Sequence, residues 1–338
     1  MRLKSLTIGQ YKNLKDFSLS FDGNSFIDVF VGKNGSGKSN LFEALIEIFR
    51  HLDQFGRANN EITFDYKLTY EIDGQETEIE WKAGKLRINQ DDDRKTLGKT
   101  PFPDNVLIYY SGHNTTVSQL ITRYEDAFRG LIKGANLGDT RRFIGIGPEY
   151  KSLLLAMLLV QPEDKWQELF QQFDNLKTLG MLDGISVPLR LTSGGEGNIT
   201  HFSDGQFQSV YIYSIIELFK DRHCLTLLDE PDAFLHPEWQ FGFLTQIIDI
   251  TSTDTDNHIL MSSHSASTLC TLEEQSIRLF LIENSKVACS KRSKKEVINE
   301  LSNSLIQYSE DESKLLIDNV VRSSSRPILF VEGIQSKK

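Results

Sequence analysis

A chain of 338 residues can bury one large core or two modest ones, and its 39% hydrophobic and 25% charged residues are the balance of a globular protein in water. A formal net charge of −10 argues against a whole surface built to hold nucleic acid, although a local basic groove stays open. The apolar runs Leu153–Val160 and Val210–Phe219 fall short of a membrane span, Met1–Ser5 does not read as a secretory signal, and Cys224, Cys270 and Cys289 form no CxxC pair, so a cytoplasmic protein without membrane partner, zinc site or disulfide framework is expected.

Phe17, Leu19 and Phe21 alternate with Ser18 and Ser20, which predicts a half-buried strand. Ser25–Val31 is nearly continuous in apolar residues, the pattern of a strand buried on both faces. A glycine-rich turn follows, then a helix from about Ser39 to His51 with Leu41, Leu45, Ile48 and Phe49 on one face. From Ile62 to Ile72 every second residue is apolar. The alternation turns at Asp73-Gly74, resumes through Thr77, Ile79 and Trp81, and turns again at Ala83-Gly84 before Leu86 and Ile88. That predicts an antiparallel three-stranded meander over about 60–90.

Val106–Tyr110 predicts a return to the main sheet, and residues 115 to about 180 a mainly helical insertion, with a loop near Asn136–Gly147 and without the heptads of a coiled-coil arm. A strand over Gly184–Leu191, a glycine-rich loop over Ser193–Asn198 and a helix over about Asp204–Phe219 follow. Leu225–Leu228 and His258–Met261 predict further buried strands, with a helix near Trp239–Ile250 between them. Lys291-Arg292-Ser293-Lys294-Lys295, the densest basic run, reads as a solvated turn before a helix. Strands and helices alternating around buried strands predict an α/β fold with a largely parallel sheet.

The chemistry is concentrated in four places. Gly32-Lys33-Asn34-Gly35-Ser36-Gly37-Lys38-Ser39 leaves a predicted buried strand and opens a predicted helix, the setting of a phosphate-binding loop. Its glycines let backbone N–H groups approach phosphate oxygens, Lys38 neutralises their charge, and the Ser39 hydroxyl suits Mg²⁺. The strand Leu225–Leu228 runs into Asp229 and Glu230, placing two carboxylates at the sheet edge where nucleotides bind in open α/β folds. Strands often end in solvated acids, so these two gain meaning from the loop. Phe202-Ser203-Asp204-Gly205-Gln206 precedes a helix with Ser203 as N-cap candidate, and Ser262-Ser263-His264 ends the strand after the acids.

In this order the four motifs resemble those of ABC ATPases. Asn34 and Asn40 in Gly-Lys-Asn-Gly-Ser-Gly-Lys-Ser-Asn are similar to the SMC/RecF branch, and Glu230-Pro231-Asp232-Ala233-Phe234-Leu235-His236-Pro237 is similar to the pattern of OLD (overcoming lysogenization defect) anti-phage ATPases. The resemblance implies a P-loop ABC-type head over 1–325, with the antiparallel β-subdomain and helical insertion set into it. It implies ATP held by Gly32, Asn34, Gly35, Ser36, Gly37, Lys38, Ser39 and Asn40, and Mg²⁺ held by Ser39 and Asp229. Glu230 would polarise the attacking water and His264 would reach the γ-phosphate. Ser203, Gly205 and Gln206 would act in trans, so that a homodimer closes around shared ATP.

Two departures stand out. Asp204 occupies a position where the family's commonest signature has glycine. The glutamine expected after the β-subdomain is not evident, and Ser111 or Asn114 in Tyr109–Asn114 is the candidate substitute. Pro327-Ile328-Leu329-Phe330-Val331-Glu332-Gly333 resembles the opening strand of a Toprim nuclease domain, which makes 326–338 the first strand of a truncated one and Glu332 its first metal ligand; the plain alternative is a terminal strand. The implied function is an ATPase that controls a DNA-directed nuclease or effector partner in phage defence. Its rivals are a transporter's nucleotide-binding subunit and a RecF-like DNA-repair ATPase.

Overall fold

The computed structural model describes residues 1–21, 26–56, 61–91, 94–110, 117, 119–122, 142–146, 188–190, 196–198, 212, 215–216, 219–233, 235, 240, 243–245, 247–248, 256–265, 268–271, 277–283 and 286–302. The central element is a seven-stranded sheet. In chain order its strands are β3 (Ile27–Val31), β7 (Asn105–Tyr110), β8 (Phe143–Ile146), β11 (Cys224–Asp229), β12 (Asn257–Ser263), β13 (Ile277–Glu283) and β14 (Lys286–Lys291). Their spatial order is β14-β13-β3-β12-β11-β7-β8. Every pairing is parallel except the β13–β14 hairpin, so the expected α/β fold with a largely parallel sheet is present.

Period-two alternation gives this sheet two buried faces. Phe30, Val106, Ile108, Leu225, Leu227, Leu260 and Phe280 face helix α1 (Lys38–Asp53) and a second sheet. Val29, Val31, Leu107, Leu228, Ile259 and Met261 face the other way, onto the helical residues Ile212, Ile215, Ile216, Phe219, Phe243, Leu244 and Ile247. Each such fully buried aliphatic or aromatic side chain contributes about 1.5–3 kcal/mol. Phe30 also anchors an aromatic cluster, edge-on to Phe280 at 5.5 Å and to Phe42 of α1 at 6.1 Å.

The second sheet is antiparallel and wider than the predicted meander. The meander strands β4 (Tyr66–Ile72), β5 (Gln75–Lys82) and β6 (Lys85–Ile88) are joined through β4 to β1 (Arg2–Tyr11) and β2 (Leu14–Ser20) in the order β2-β1-β4-β5-β6. The first strand of the meander starts later than the alternation from Ile62 predicts. Asp65 keeps one main-chain bond to β1, its carbonyl accepting the Gly9 amide at 2.8 Å, while its carboxylate accepts the Ala83 amide at 3.1 Å. A further difference lies in the glycine-rich loop at 193–198. Glu196–Asn198 is strand β10, paired antiparallel with β9 (Pro188–Arg190) by main-chain bonds that need no particular side chain. The basic run, expected as a turn, spans the last residue of β14, a two-residue link and the start of helix α2 (Lys294–Leu301), which Ser293 caps in a capping box with Glu296. Most of the predicted helical insertion lies outside the described residues, but within its expected loop Phe143–Ile146 is strand β8, paired parallel with β7 at the sheet edge. Among the described residues no helix is long and apolar enough to cross a membrane.

A buried polar group ties the two sheets together. The Leu3 amide of β1 donates to His258 Nδ1 at 3.0 Å, which leaves Nε2–H to face Asp28 Oδ2 at 3.0 Å. Arg278 Nε donates to the other Asp28 oxygen at 2.7 Å, so β3, β12 and β13 share one satisfied charge.

His51, on α1, is 1% exposed, with Nδ1 2.9 Å from the Tyr66 hydroxyl and its ring 4.6 Å from that of Trp81. Burial pushes its pKa down from 6.5 to about 4, and the neighbouring Arg50 charge acts in the same direction. The folded chain therefore takes up this proton later than the unfolded one as pH falls. Stability is unaffected by His51 above pH 6.5 and declines between 6.5 and about 4, by about 3 kcal/mol at 1.36 kcal/mol per unit. His51→Gln, neutral at every pH, should lose less stability than the wild type between pH 7 and pH 4.5 in urea titrations. Equal losses would show that His51 is not the acid-sensitive group.

Candidate nucleotide site

Residues 32–37 connect the end of β3 to the start of α1, and the backbone there leaves room for little else. A Cβ at Gly32 would lie 2.7 Å from the Phe280 carbonyl of β13. Gly37, the N-cap of α1, has φ 113°, and a Cβ there would meet the Asn13 amide at 3.2 Å. Asn13 sits at the β1–β2 turn, where its Nδ2 donates to the Gly35 carbonyl at 3.2 Å and its Oδ1 accepts from Asn40 Nδ2 at 2.6 Å. The tip of one sheet thus rests on the loop of the other.

Lys38 is 4% exposed, and its ammonium folds back to donate to the carbonyls of Gly32 at 2.7 Å and Lys33 at 3.3 Å. Burial pushes its pKa down, opposed by the negative charge of Glu230, Asp229 and Asp232. Beside it, Ser36 Oγ is buried with no hydrogen-bond partner among the described residues. A pocket of about 330 Å³ opens here, lined by Asn34, Gly35, Gly37, Lys38, Ser39, Asn40 and Glu230.

Strand order explains how distant residues reach this pocket. β12 lies between β3 and β11, and the pairing aligns Phe30 with Ser262 and Ser262 with Asp229. All three strands are parallel, so their C-terminal ends meet over the loop. Asp229 Oδ1 accepts from Ser39 Oγ at 3.1 Å and from Ser262 Oγ at 2.7 Å. Ser262 Oγ in turn accepts the Glu230 amide at 2.9 Å. That amide belongs to a residue with φ 49°, a left-handed conformation costing a non-glycine residue about 1–2 kcal/mol.

The turn brings Glu230 Oε1 to 3.4 Å from His264 Nδ1. The bond to His264 holds the Glu230 carboxyl below the usual carboxylate range, and the same bond raises the His264 pKa.

Oxygen donors alone suit Mg²⁺, and Ser39 Oγ and Asp229 Oδ1, hydrogen-bonded at 3.1 Å, are the two that would hold it here. The buried Lys38 ammonium, which lines the pocket, supplies a donor for an anion there. The residues present therefore fit a nucleotide phosphate with its magnesium.

The structure gathers the expected Gly32, Asn34–Asn40, Asp229, Glu230 and His264 into one locality. Asn40 lines the pocket, with its amide donated to Asn13. Ser203, Gly205, Gln206, Ser111, Asn114 and Glu332 lie outside the described residues. Sequence reading did not give roles to Asn13 and Ser262, whose functions depend on pairings across the fold.

Cys224 and Cys289 are free thiols, and burial pushes each up to about 12. One other group of potential ligands, Asp73, His223 and Asp256, clusters at the opposite ends of the strands. Asp73 faces His223 Nε2 at 3.2 Å and Asp256 faces Nδ1 at 3.7 Å, an imidazole bridging two carboxylates.

Comparison with known proteins gives the chain a family. Residues 29–270, well over half of the chain, match the family described as "AAA domain, putative AbiEii toxin, Type IV TA system". The DNA replication and repair protein RecF of Lactobacillus acidophilus is 44% identical over 45 residues, 13% of this chain. The match spans 12% of that relative's length. Similar solved structures include the SMC head domain from Thermotoga maritima, with 16% identity, a TM-score of 0.49, and 87% of this chain and 100% of that one covered. Another is the Smc head domain with an extended coiled coil bound to the C-terminal domain of ScpA, from Pyrococcus furiosus, with 15% identity, a TM-score of 0.47, and 89% and 99% covered. With its phosphate loop and acidic strand end inside the matched span, the chain belongs to this AAA family and is a P-loop ATPase domain.

Proposed function

We propose that the chain binds ATP with Mg²⁺ in the pocket above α1 and hydrolyses it between two closed copies of itself. The observation that carries this reading is the meeting of Ser39 with Asp229 and of Glu230 with His264, at 3.1 and 3.4 Å, over one phosphate loop. The loop's amides and Lys38 bind the phosphates, Lys38 exchanging its two loop carbonyls for phosphate oxygens. Ser39 and Asp229 would hold Mg²⁺, which when bound neutralises phosphate charge. Glu230 orients the attacking water and takes up its proton. His264, held by Glu230, faces the terminal phosphate. Ser203, Gly205 and Gln206, which the sequence predicts to open a helix, cap the nucleotide of the partner copy.

Lys38→Ala tests the binding half of the reading. Loss of a charge-assisted phosphate contact should weaken ATP binding by roughly 2–3 kcal/mol. Unchanged affinity in a calorimetric titration of the folded variant would refute the pocket assignment.

On the larger scale we read residues 1–325 as one cytoplasmic head whose ATP-driven pairing controls a DNA-directed nuclease or effector, in phage defence. The support is the Glu230–Pro237 pattern and the Toprim-like strand ending in Glu332. The local likeness to RecF favours a second reading, a DNA-repair ATPase. Turnover stimulated by DNA, with no strand cutting by the native protein in Mg²⁺ or Mn²⁺, would select that second reading.

A further inference from the structure

The turn after β11 carries a third acid, to which the chemistry above gives no role. Asp232 is 1% exposed. Its Oδ2 accepts from Ser263 Oγ and from Thr268 Oγ1, each at 2.5 Å, while Oδ1 is buried with no partner among the described residues. A half-satisfied buried carboxylate is costly. Its two hydroxyl donors lie on either side of His264 in the chain.

The hydrogen bonds close a ring. Ser263 Oγ accepts the Ser265 amide at 3.0 Å, Ser265 Oγ donates to Gln240 Oε1 at 2.6 Å, and Gln240 Nε2 donates to the Asp232 carbonyl at 3.1 Å. His264 lies between the two serines but makes none of these bonds. Side chains alternate at a strand end, so Ser262 serves Asp229 while Ser263 serves Asp232. His264, the next residue, meets Glu230.

We infer that Asp232 is a positioning residue: acting through Ser263 and Thr268, it fixes the end of β12 and so holds the His264 imidazole against Glu230. The inference rests on the hydrolytic reading above. The competing role for Asp232 is its charge, which also acts on Lys38. Burial pushes the Asp232 carboxyl's pKa up while the two hydroxyls pull it down. An asparagine has the same shape, can accept the same two bonds and carries no charge, so it separates the two roles.

The experiment is steady-state phosphate release against ATP concentration for the full chain, Asp232→Ala, Asp232→Asn, Ser263→Ala, His264→Ala and the Asp232→Ala/His264→Ala pair. Asp232→Ala should lower kcat about tenfold or more with KM within about threefold, and Asp232→Asn should restore most of the kcat. In the His264→Ala background, Asp232→Ala should cost at most about twofold, because no imidazole remains to be misplaced. Should Asp232→Ala fail to fold, Ser263→Ala removes the two ring bonds of that hydroxyl, leaves the Thr268 bond to Asp232, and should give the same split at smaller size.

Wild-type kcat in the folded Asp232→Ala protein, a loss carried by KM, or an undiminished loss in the His264→Ala background would each overturn the inference alone. A shift in ATP affinity shared by the Ala and Asn variants would assign Asp232 to charge on Lys38 and overturn it as well. A wild-type chain that binds ATP without turnover as a closed dimer would overturn the hydrolytic reading, and this inference with it.

Discussion

Glu230→Gln should bind ATP and Mg²⁺ as the wild type does while its turnover falls by about 10²-fold or more, the usual weight of a proton-transfer group. The amide is nearly isosteric and can keep a hydrogen bond to His264, now 3.4 Å from Oε1. What it lacks is negative charge and basicity. The bond from His264 holds the Glu230 carboxyl below its usual range, so the group is ionised throughout the neutral range. A carboxylate of that kind is a weak base toward ground-state water. Its work is to orient the water and to accept the proton once attack on phosphorus has made that water acidic.

With turnover stalled, ATP held between two copies should accumulate the closed dimer by mass action. Sizing with and without ATP reads the dimer, and phosphate release reads turnover. The pairing also sets His264: its pKa, raised by Glu230, should fall back toward 6.5 in the variant. Wild-type turnover in Glu230→Gln would move the role to another residue.

Contiguous motifs are legible in the amino-acid sequence because their chemistry is local. The phosphate loop spans eight residues between one strand and one helix, and glycine is required there for reasons that a single Cβ distance confirms at Gly32. The parallel sheet is legible for a similar reason, since strands buried on both faces write themselves as unbroken apolar runs. Strand β1 is not. Its pairing with β4 shifts register between Leu3 and Ser5, so the buried Leu3, Leu6 and Ile8 are spaced three and then two apart, matching neither period. Asp28 passes as a blemish in an apolar run, because its partners His258 and Arg278 come more than two hundred residues later. Ser262, Asp232 and Asn13 share that limit. Each is an ordinary polar residue until the fold sets it against Asp229, Ser263 or Gly35.

The last expectation concerns action between copies. Ser203→Arg should leave ATP binding within about twofold, because the phosphate loop of the same chain is untouched, and should reduce turnover by about 10²-fold or more. The arginine adds bulk where the partner's terminal phosphate is proposed to dock against a helix N-terminus. Lys38→Ala has the complementary defect, a damaged loop and an intact Ser203. Mixed in equal amounts, the two inactive proteins should recover activity, since each heterodimer joins the good loop of one chain to the good signature of the other. Random pairing makes half the dimers heterodimers with one working site of two, which for independent sites gives about a quarter of wild-type turnover. Cooperative closure by two nucleotides would lower that fraction but leave recovery dependent on the mixing ratio, with its maximum near equal amounts. Absence of recovery at every ratio, with heterodimers demonstrated by differently tagged chains, would exclude a composite site and return hydrolysis to residues of a single copy.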